Sequence, residues 1–134
     1  MDDIFVGRLM SSPVATIRPD TPIYEGAQTM VERDIGSLII VDEKNQPEGI
    51  LTTTDLVQLV ANQELIESTV VEAYMNTVNI ATTANKPIQE AADTMMNHGI
   101  HHLPVVDDSR SVIGILTTTD LTAYLSADWT PSPS

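Results

Sequence analysis

The run Gly-Ile-Leu-Thr-Thr-Thr-Asp-Leu occurs twice, from Gly49 to Leu56 and again, letter for letter, from Gly114 to Leu121. The copies lie 114 − 49 = 65 residues apart. At that offset the chain matches itself without a gap from Val6 to Val60 against Val71 to Leu125, with roughly 20 identical pairs. An internal duplication on this scale commits the chain to two similar units, here residues 1–66 and 67–128, followed by a Ser- and Pro-rich tail at 129–134. The tail is expected to fray, with Trp129 exposed.

Each copy carries the same order of local signals. Residues 2–9, with Ile4, Phe5 and Leu9 apolar, suit a short helix that lays one face on the core, and residues 69–74 match them in the second copy. Val14 to Ile17 reads as a brief strand. Pro19-Asp20-Thr21-Pro22 then breaks the strand and starts a helix with Pro22 in its first turn, where a missing N–H costs nothing. Ile23, Ala27, Met30 and Val31 supply its apolar face, and it stops near Asp34 to Gly36. The apolar runs Leu38–Val41 and Gly49–Leu51 flank turn-forming residues and predict a hairpin of buried strands. Thr52 to Asp55 opens a second helix facing inward with Leu56, Leu59 and Val60. The second copy repeats this with a strand near Val78 to Ala81, a helix from Pro87 to His98, a hairpin from Leu103 to Leu116 and a helix from Thr118 to Leu125. Each unit is therefore β-α-β-β-α, and the expected class is α/β (α+β), two such repeats packed sheet to sheet about a pseudo-twofold axis so that each covers the other.

Composition narrows the partners. With 42% apolar residues the chain can build a core, and no apolar run reaches the roughly 18 residues of a membrane span. The acidic Asp2-Asp3 start does not resemble a signal peptide, so a cytoplasmic location is expected. No cysteine is present, which removes disulfides, thiolate nucleophiles and Cys-based zinc sites. The balance of 19 Asp plus Glu against 6 Lys plus Arg leaves −13, a field that repels nucleic acid and anionic lipid. The acids are spread along the chain and read as a solvated acidic surface, of the kind a salty cytoplasm would screen.

The chemistry-bearing pattern is Thr-x-x-Asp where a strand turns into a helix: Thr52 with Asp55 and Thr117 with Asp120. A carboxylate in a first helical turn can accept two hydrogen bonds from a diol such as ribose, and unpaired N–H groups there favour anionic oxygen. The same spacing is also a capping arrangement that needs no ligand, and both roles can coexist. Gly49 and Gly114 permit close approach of another group on the preceding strand. His98, His101 and His102 will not share one helical face, because Gly99 ends the helix and Pro104 demands extended backbone, so no metal site is assigned to them. His101 and His102 instead begin a strand, where ring N–H groups can reach a phosphate or simply sit at the sheet edge; Gly36 and Ser37 match them in the first copy. No nucleophile with a base and orienting acid is evident, and the chain is read as non-enzymatic. Met10, Met30, Met75, Met95 and Met96 are expected to pack on apolar faces.

With both octapeptides, the Met-Ser-Ser-Pro-Val and Met-Asn-Thr-Val starts and the second copy's Gly-Ile-His-His-Leu-Pro-Val-Val-Asp on the page, the chain resembles a tandem cystathionine β-synthase (CBS) domain pair, or Bateman module, over roughly residues 6–126. The resemblance implies the β-α-β-β-α fold, frequent dimerisation and adenosyl ligands in clefts between the repeats. By position it makes Asp55 and Asp120 acceptors of the ribose diol and places Thr52 and Thr117 beside ribose or phosphate. Ile50 and Ile115 would flank adenine, with Ala15, Ile80, Ile35 and Ile100 completing the apolar slot. His101 and His102 would meet phosphate, crossing to the Asp55 site and leaving Gly36 and Ser37 for the Asp120 site. The first copy departs from the family pattern with Leu-Ile-Ile-Val-Asp in place of Leu-Pro-Val-Val-Asp.

The expected function is a regulatory sensor that binds an adenine nucleotide (AMP, ADP or ATP, with or without Mg²⁺) and acts through its own homodimer or an effector protein of unknown identity. The alternatives are a module for S-adenosylmethionine or a metal ion, and a structural dimerisation scaffold with vestigial sites.

Overall fold

A computed structural model describes residues 4–128, which form two compact units. The expectations for Asp2 and Asp3, and for the 129–134 tail with Trp129, lie outside those residues. One unit comprises Val14–Asn79 with Arg110–Val112; the other comprises residues 4–13, 80–109 and 113–128. The compact units are thus offset from the sequence repeats, since the lead-in to each repeat folds with the strands and helices of the other one.

The chain opens with a single turn, α1 (Val6–Leu9), which belongs to the second of these units. The Val14–Asn79 unit follows with β1 (Thr16–Ile17), α2 (Ile23–Arg33), β2 (Ser37–Val41), β3 (Pro47–Thr52), α3 (Thr53–Ala61) and β4 (Asn76–Thr77). Its sheet runs β1-β2-β3-β4, with β1 parallel to β2 and the other pairs antiparallel. Leu38, Ile40 and Leu51 join Ala15, Ile23, Met30, Leu59 and Val71 in one core. Ile39 and Ile50 occupy the alternate strand positions and so the opposite sheet face, yet they too are buried, which accounts for the unbroken apolar run.

Pro22 stands at the N-cap of α2, one position before its first turn. The core face of that helix is Ile23, Gly26 and Met30, whereas Val31 is 81% exposed. Val31 lies about 100° around the helix from Met30, and a stripe centred on Met30 leaves it in solvent. Asp34 closes α2 in the left-handed region at φ 53°, and the Ile35 N–H reaches back to the Met30 carbonyl at 3.0 Å. In α3, Leu59 is buried in the core, while Val60 turns to solvent, 70% exposed. Residues 69–74 contain a 3-10 turn, Val71–Ala73, whose Val71 is fully buried.

The second unit adds β5 (Thr82–Thr83), α4 (Ile88–His98), β6 (His102–Val106), β7 (Val112–Thr117) and α5 (Thr118–Asp128) to α1. Val6 packs with Ala91, Met95, Leu103, Val105 and Leu116. Met96 is 79% exposed, contrary to its expected apolar packing, for the reason that applies to Val31, its match 65 residues earlier. The first strand of this unit is also displaced from the expected Val78 to Ala81. In the other unit Thr16 pairs with Ile39, whose N–H bonds the Ala15 carbonyl at 3.2 Å. The matching residue here is Pro104, which has no N–H to give, and pairing begins one step later at Thr82 with Val105.

Candidate functional site

Each unit turns from strand to helix at a Thr–Asp corner. Thr52 ends β3 with extended backbone and caps α3 in a reciprocal box: its N–H donates to Asp55 Oδ2 at 2.7 Å, and its Oγ1 accepts from the Asp55 N–H at 3.4 Å. The Thr52 hydroxyl also donates to Asp55 Oδ2 at 3.0 Å. The other corner repeats the box, with the Thr117 N–H donating to Asp120 Oδ2 at 2.9 Å and the Asp120 N–H to Thr117 Oγ1 at 3.1 Å. The capping role is therefore real in both copies. A carbonyl takes one more first-turn donor in each, Gly36 from the Thr53 N–H at 3.2 Å and His101 from the Thr118 N–H at 3.1 Å. These bonds use up part of the anion-binding capacity of a bare helix start.

A partner that local sequence reasoning did not find completes each corner. Asn76 Nδ2 lies 3.2 Å from Asp55 Oδ1 and 3.1 Å from Oδ2, while Ser11 Oγ donates to Asp120 Oδ1 at 3.2 Å. Asn76 and Ser11 are matched residues, 65 apart, each following the methionine that starts its copy. The signal was the paired Met-Ser and Met-Asn starts, but the partner strand of each start is a tertiary fact. β4 places Asn76 against Ile50, and the isolated Ser11–Ile115 bridge does the same in the other unit.

The close approach allowed by the two glycines is made by the chain itself. A Cβ on Gly49 would stand 2.6 Å from Met75 Sδ and 3.0 Å from the Asn76 carbonyl; on Gly114 it would meet Met10 Sδ at 2.7 Å and the Ser11 carbonyl at 3.0 Å. These glycines thus explain how the lead-in strands dock and are not in themselves a sign of a ligand.

The candidate residues fall into two sets. Ala15, Ile35, Ile50, Thr52 and Asp55 share the Val14–Asn79 unit; Ile80, Ile100, His101, His102, Ile115, Thr117 and Asp120 share the other. Ala15, Ile50 and Ile115 are buried, and Ile35, Ile80 and Ile100 half-buried against their cores. His101 is exposed and His102 half-buried. His98 turns back on its own helix, its Nδ1 lying 2.9 Å from the Thr94 carbonyl. Among the described residues no cluster of three or more His, Cys, Asp and Glu side chains could hold a metal, and no helix is long and apolar enough to cross a membrane.

Two mixed α/β units with matching Thr–Asp corners define a paired-repeat module, and comparison with known proteins names its class. The CBS domain model matches twice, at residues 6–62 and 71–127, and the chain belongs to the CBS domain family as a tandem pair. An uncharacterized 17.7 kDa protein of Acidianus ambivalens is 31% identical over 120 residues, covering 90% of this chain and 72% of that protein. The uncharacterized protein MK0525 of Methanopyrus kandleri is 35% identical over 122 residues; the match covers 90% of this chain and 62% of that longer protein. Among solved structures, the CBS domain pair of protein MJ0100, in complex with 5′-methylthioadenosine and S-adenosyl-L-methionine, aligns at a TM-score of 0.83 and 30% identity, covering 95% of this chain and 99% of the other.

Proposed function

We propose that the chain is a non-catalytic regulatory module that binds an adenine nucleotide (AMP, ADP or ATP) at its Thr–Asp corners. The aspartate of such a corner is the acceptor for the ribose hydroxyls, and the isoleucines and Ala15 line the side taken by the base. The observation that carries the reading is the corner itself: in both units a carboxylate is held by its own threonine's backbone N–H, which fixes its direction before any ligand arrives. A similar pair, the MJ0100 module, holds two adenosyl compounds, which share ribose and adenine with the nucleotides.

S-adenosylmethionine is the second reading. It is one of the two compounds in that similar structure, and its sulfonium suits a chain of net charge −13, which opposes a free polyphosphate unless Mg²⁺ accompanies it. The supporting experiment is a thermal-shift panel of AMP, ADP, ATP and S-adenosylmethionine, with and without Mg²⁺, at low and at molar salt. A ligand at a hundredfold over its dissociation constant should stabilise the fold by about 2.7 kcal/mol. A flat response to every compound sinks the reading in favour of a structural scaffold, and a response to S-adenosylmethionine alone selects the second reading.

The regulatory output runs through a homodimer or an effector protein. Val57, Val60 and Leu125 are 67%, 70% and 62% exposed on α3 and α5, apolar area that a second copy would cover, whereas Leu59 is spent in the core. Light scattering at tens of micromolar should give twice the 14.6 kDa chain mass. A mass of one chain at low and high salt would refute the dimer.

A further inference from the structure

The two corners carry the same aspartate in the same capping box, yet their carboxylates are not equally available. Asp55 Oδ2 takes the Thr52 N–H, the Thr52 hydroxyl and the Asn76 amide, while Oδ1 takes the same amide. An ionised carboxylate has about four lone-pair directions, so Asp55 has little left to offer. Geometry adds to this. At 3.2 and 3.1 Å from the two oxygens, Asn76 Nδ2 sits almost equidistant from both, which is the place a vicinal diol needs if it is to donate one hydroxyl to each. Among the described residues, Asp120 takes only the Thr117 N–H on Oδ2 and the Ser11 hydroxyl on Oδ1. A serine hydroxyl touches one oxygen and can rotate to accept from an incoming group in place of donating. It therefore leaves the diol position open.

Resting on the proposed function, we propose that Asn76 is a specificity-determining residue: it closes the Asp55 corner to a ribose diol and leaves the Asp120 corner, fronted by Ser11, as the dominant adenosyl site. The asymmetry is set by one side chain at matched positions on two docked lead-in segments. It is therefore exchangeable by mutation, and both positions are exposed, so the swaps spare the cores.

The 134-residue chain is titrated calorimetrically with AMP and, separately, with S-adenosylmethionine. One dominant site is expected in the wild type, weakened ten- to a hundredfold by Asp120→Ala, the loss of a hydrogen bond to a charged acceptor. Asn76→Ser should open a second binding event that the double variant Asn76→Ser/Asp55→Ala removes, and Ser11→Asn should weaken the dominant site by about tenfold or more. A ligand-free measurement tests the geometry alone: the Asn76 side-chain amide protons should exchange with solvent more slowly in the wild type than in Asp55→Ala. Two equal sites in the wild type, an Asn76→Ser variant that binds as the wild type does, or equal amide exchange rates would each overturn the inference while leaving adenosyl binding intact. A wild type that binds neither compound would overturn the proposed function, and this inference with it.

Discussion

Replacing Gly49 by alanine tests how tightly the lead-in segment is locked to its sheet. The added methyl would lie 2.6 Å from Met75 Sδ, 2.9 Å from Met75 Cγ and 3.0 Å from the Asn76 carbonyl oxygen. Comfortable non-bonded carbon contacts are about 3.5–4.0 Å, so an overlap near 1 Å must be relieved. The thioether can rotate away, but the Asn76 carbonyl belongs to a strand paired at Gly49–Thr77 and Ile50–Asn76 and cannot retreat without loosening that pairing. Overpacking of this kind costs about 1–3 kcal/mol, while alanine returns about 0.4–1 kcal/mol by narrowing the unfolded ensemble. The net expectation is a loss of about 1–2 kcal/mol, or roughly 3–10 °C in Tm for a chain of this size. Urea unfolding should show a lower midpoint at unchanged slope. In a double-mutant cycle, Met75→Ala should recover only part of the loss, because the carbonyl remains in place. A Gly49→Ala protein as stable as the wild type would refute the reasoning, as would full recovery by Met75→Ala, which would leave the sulfur as the sole obstacle.

Three further outcomes are expected. Asp34 closes α2 at φ 53° where the second copy uses Gly99 at φ 62°, so Asp34→Gly should stabilise the fold by about 0.5–1 kcal/mol in chemical denaturation, net of the extra freedom glycine gives the unfolded chain. The Asp42 carboxyl lies below its ordinary value of 3.8, chiefly because it accepts the Gln46 N–H, with the Lys44 N–H adding to the effect. A lowered folded value means stabilisation that is present above about pH 4 and lost as pH falls through the folded value; the stability advantage of wild type over Asp42→Asn should therefore decline as pH falls through that range and become independent of pH below it. Finally, because Val71, Asn76 and Thr77 complete the core and sheet of the first unit, a fragment of residues 14–79 should show more helical circular dichroism and sharper melting than residues 1–66; equal behaviour would contradict the offset of the units.

The duplication, the hairpins and the four longer helices were legible in the sequence because each is written in local chemistry. Apolar residues recur at helical spacing from Ile23 to Met30, unbroken apolar runs mark strands buried on both faces, and Thr-x-x-Asp marks a helix start. The family followed from the same letters. What stayed hidden was every choice between equivalent partners. Asn76 could pair beside Gly49 or beside Gly114, since both strands spell the same residues, and only the folded chain selects Gly49. Pro104 delays β5 by one residue through an N–H it lacks on a neighbouring strand, an effect no window around residues 78–81 contains. The family resemblance places an inequality of the corners at His101 and His102, in favour of Asp55; the hydrogen bonds show a separate difference at Asn76 and Ser11, on which the proposed preference for Asp120 rests. Sequence determines which groups exist and what they prefer nearby; which carboxylate an amide 21 residues away will occupy depends on chain closure, and that is settled only when the sheet forms.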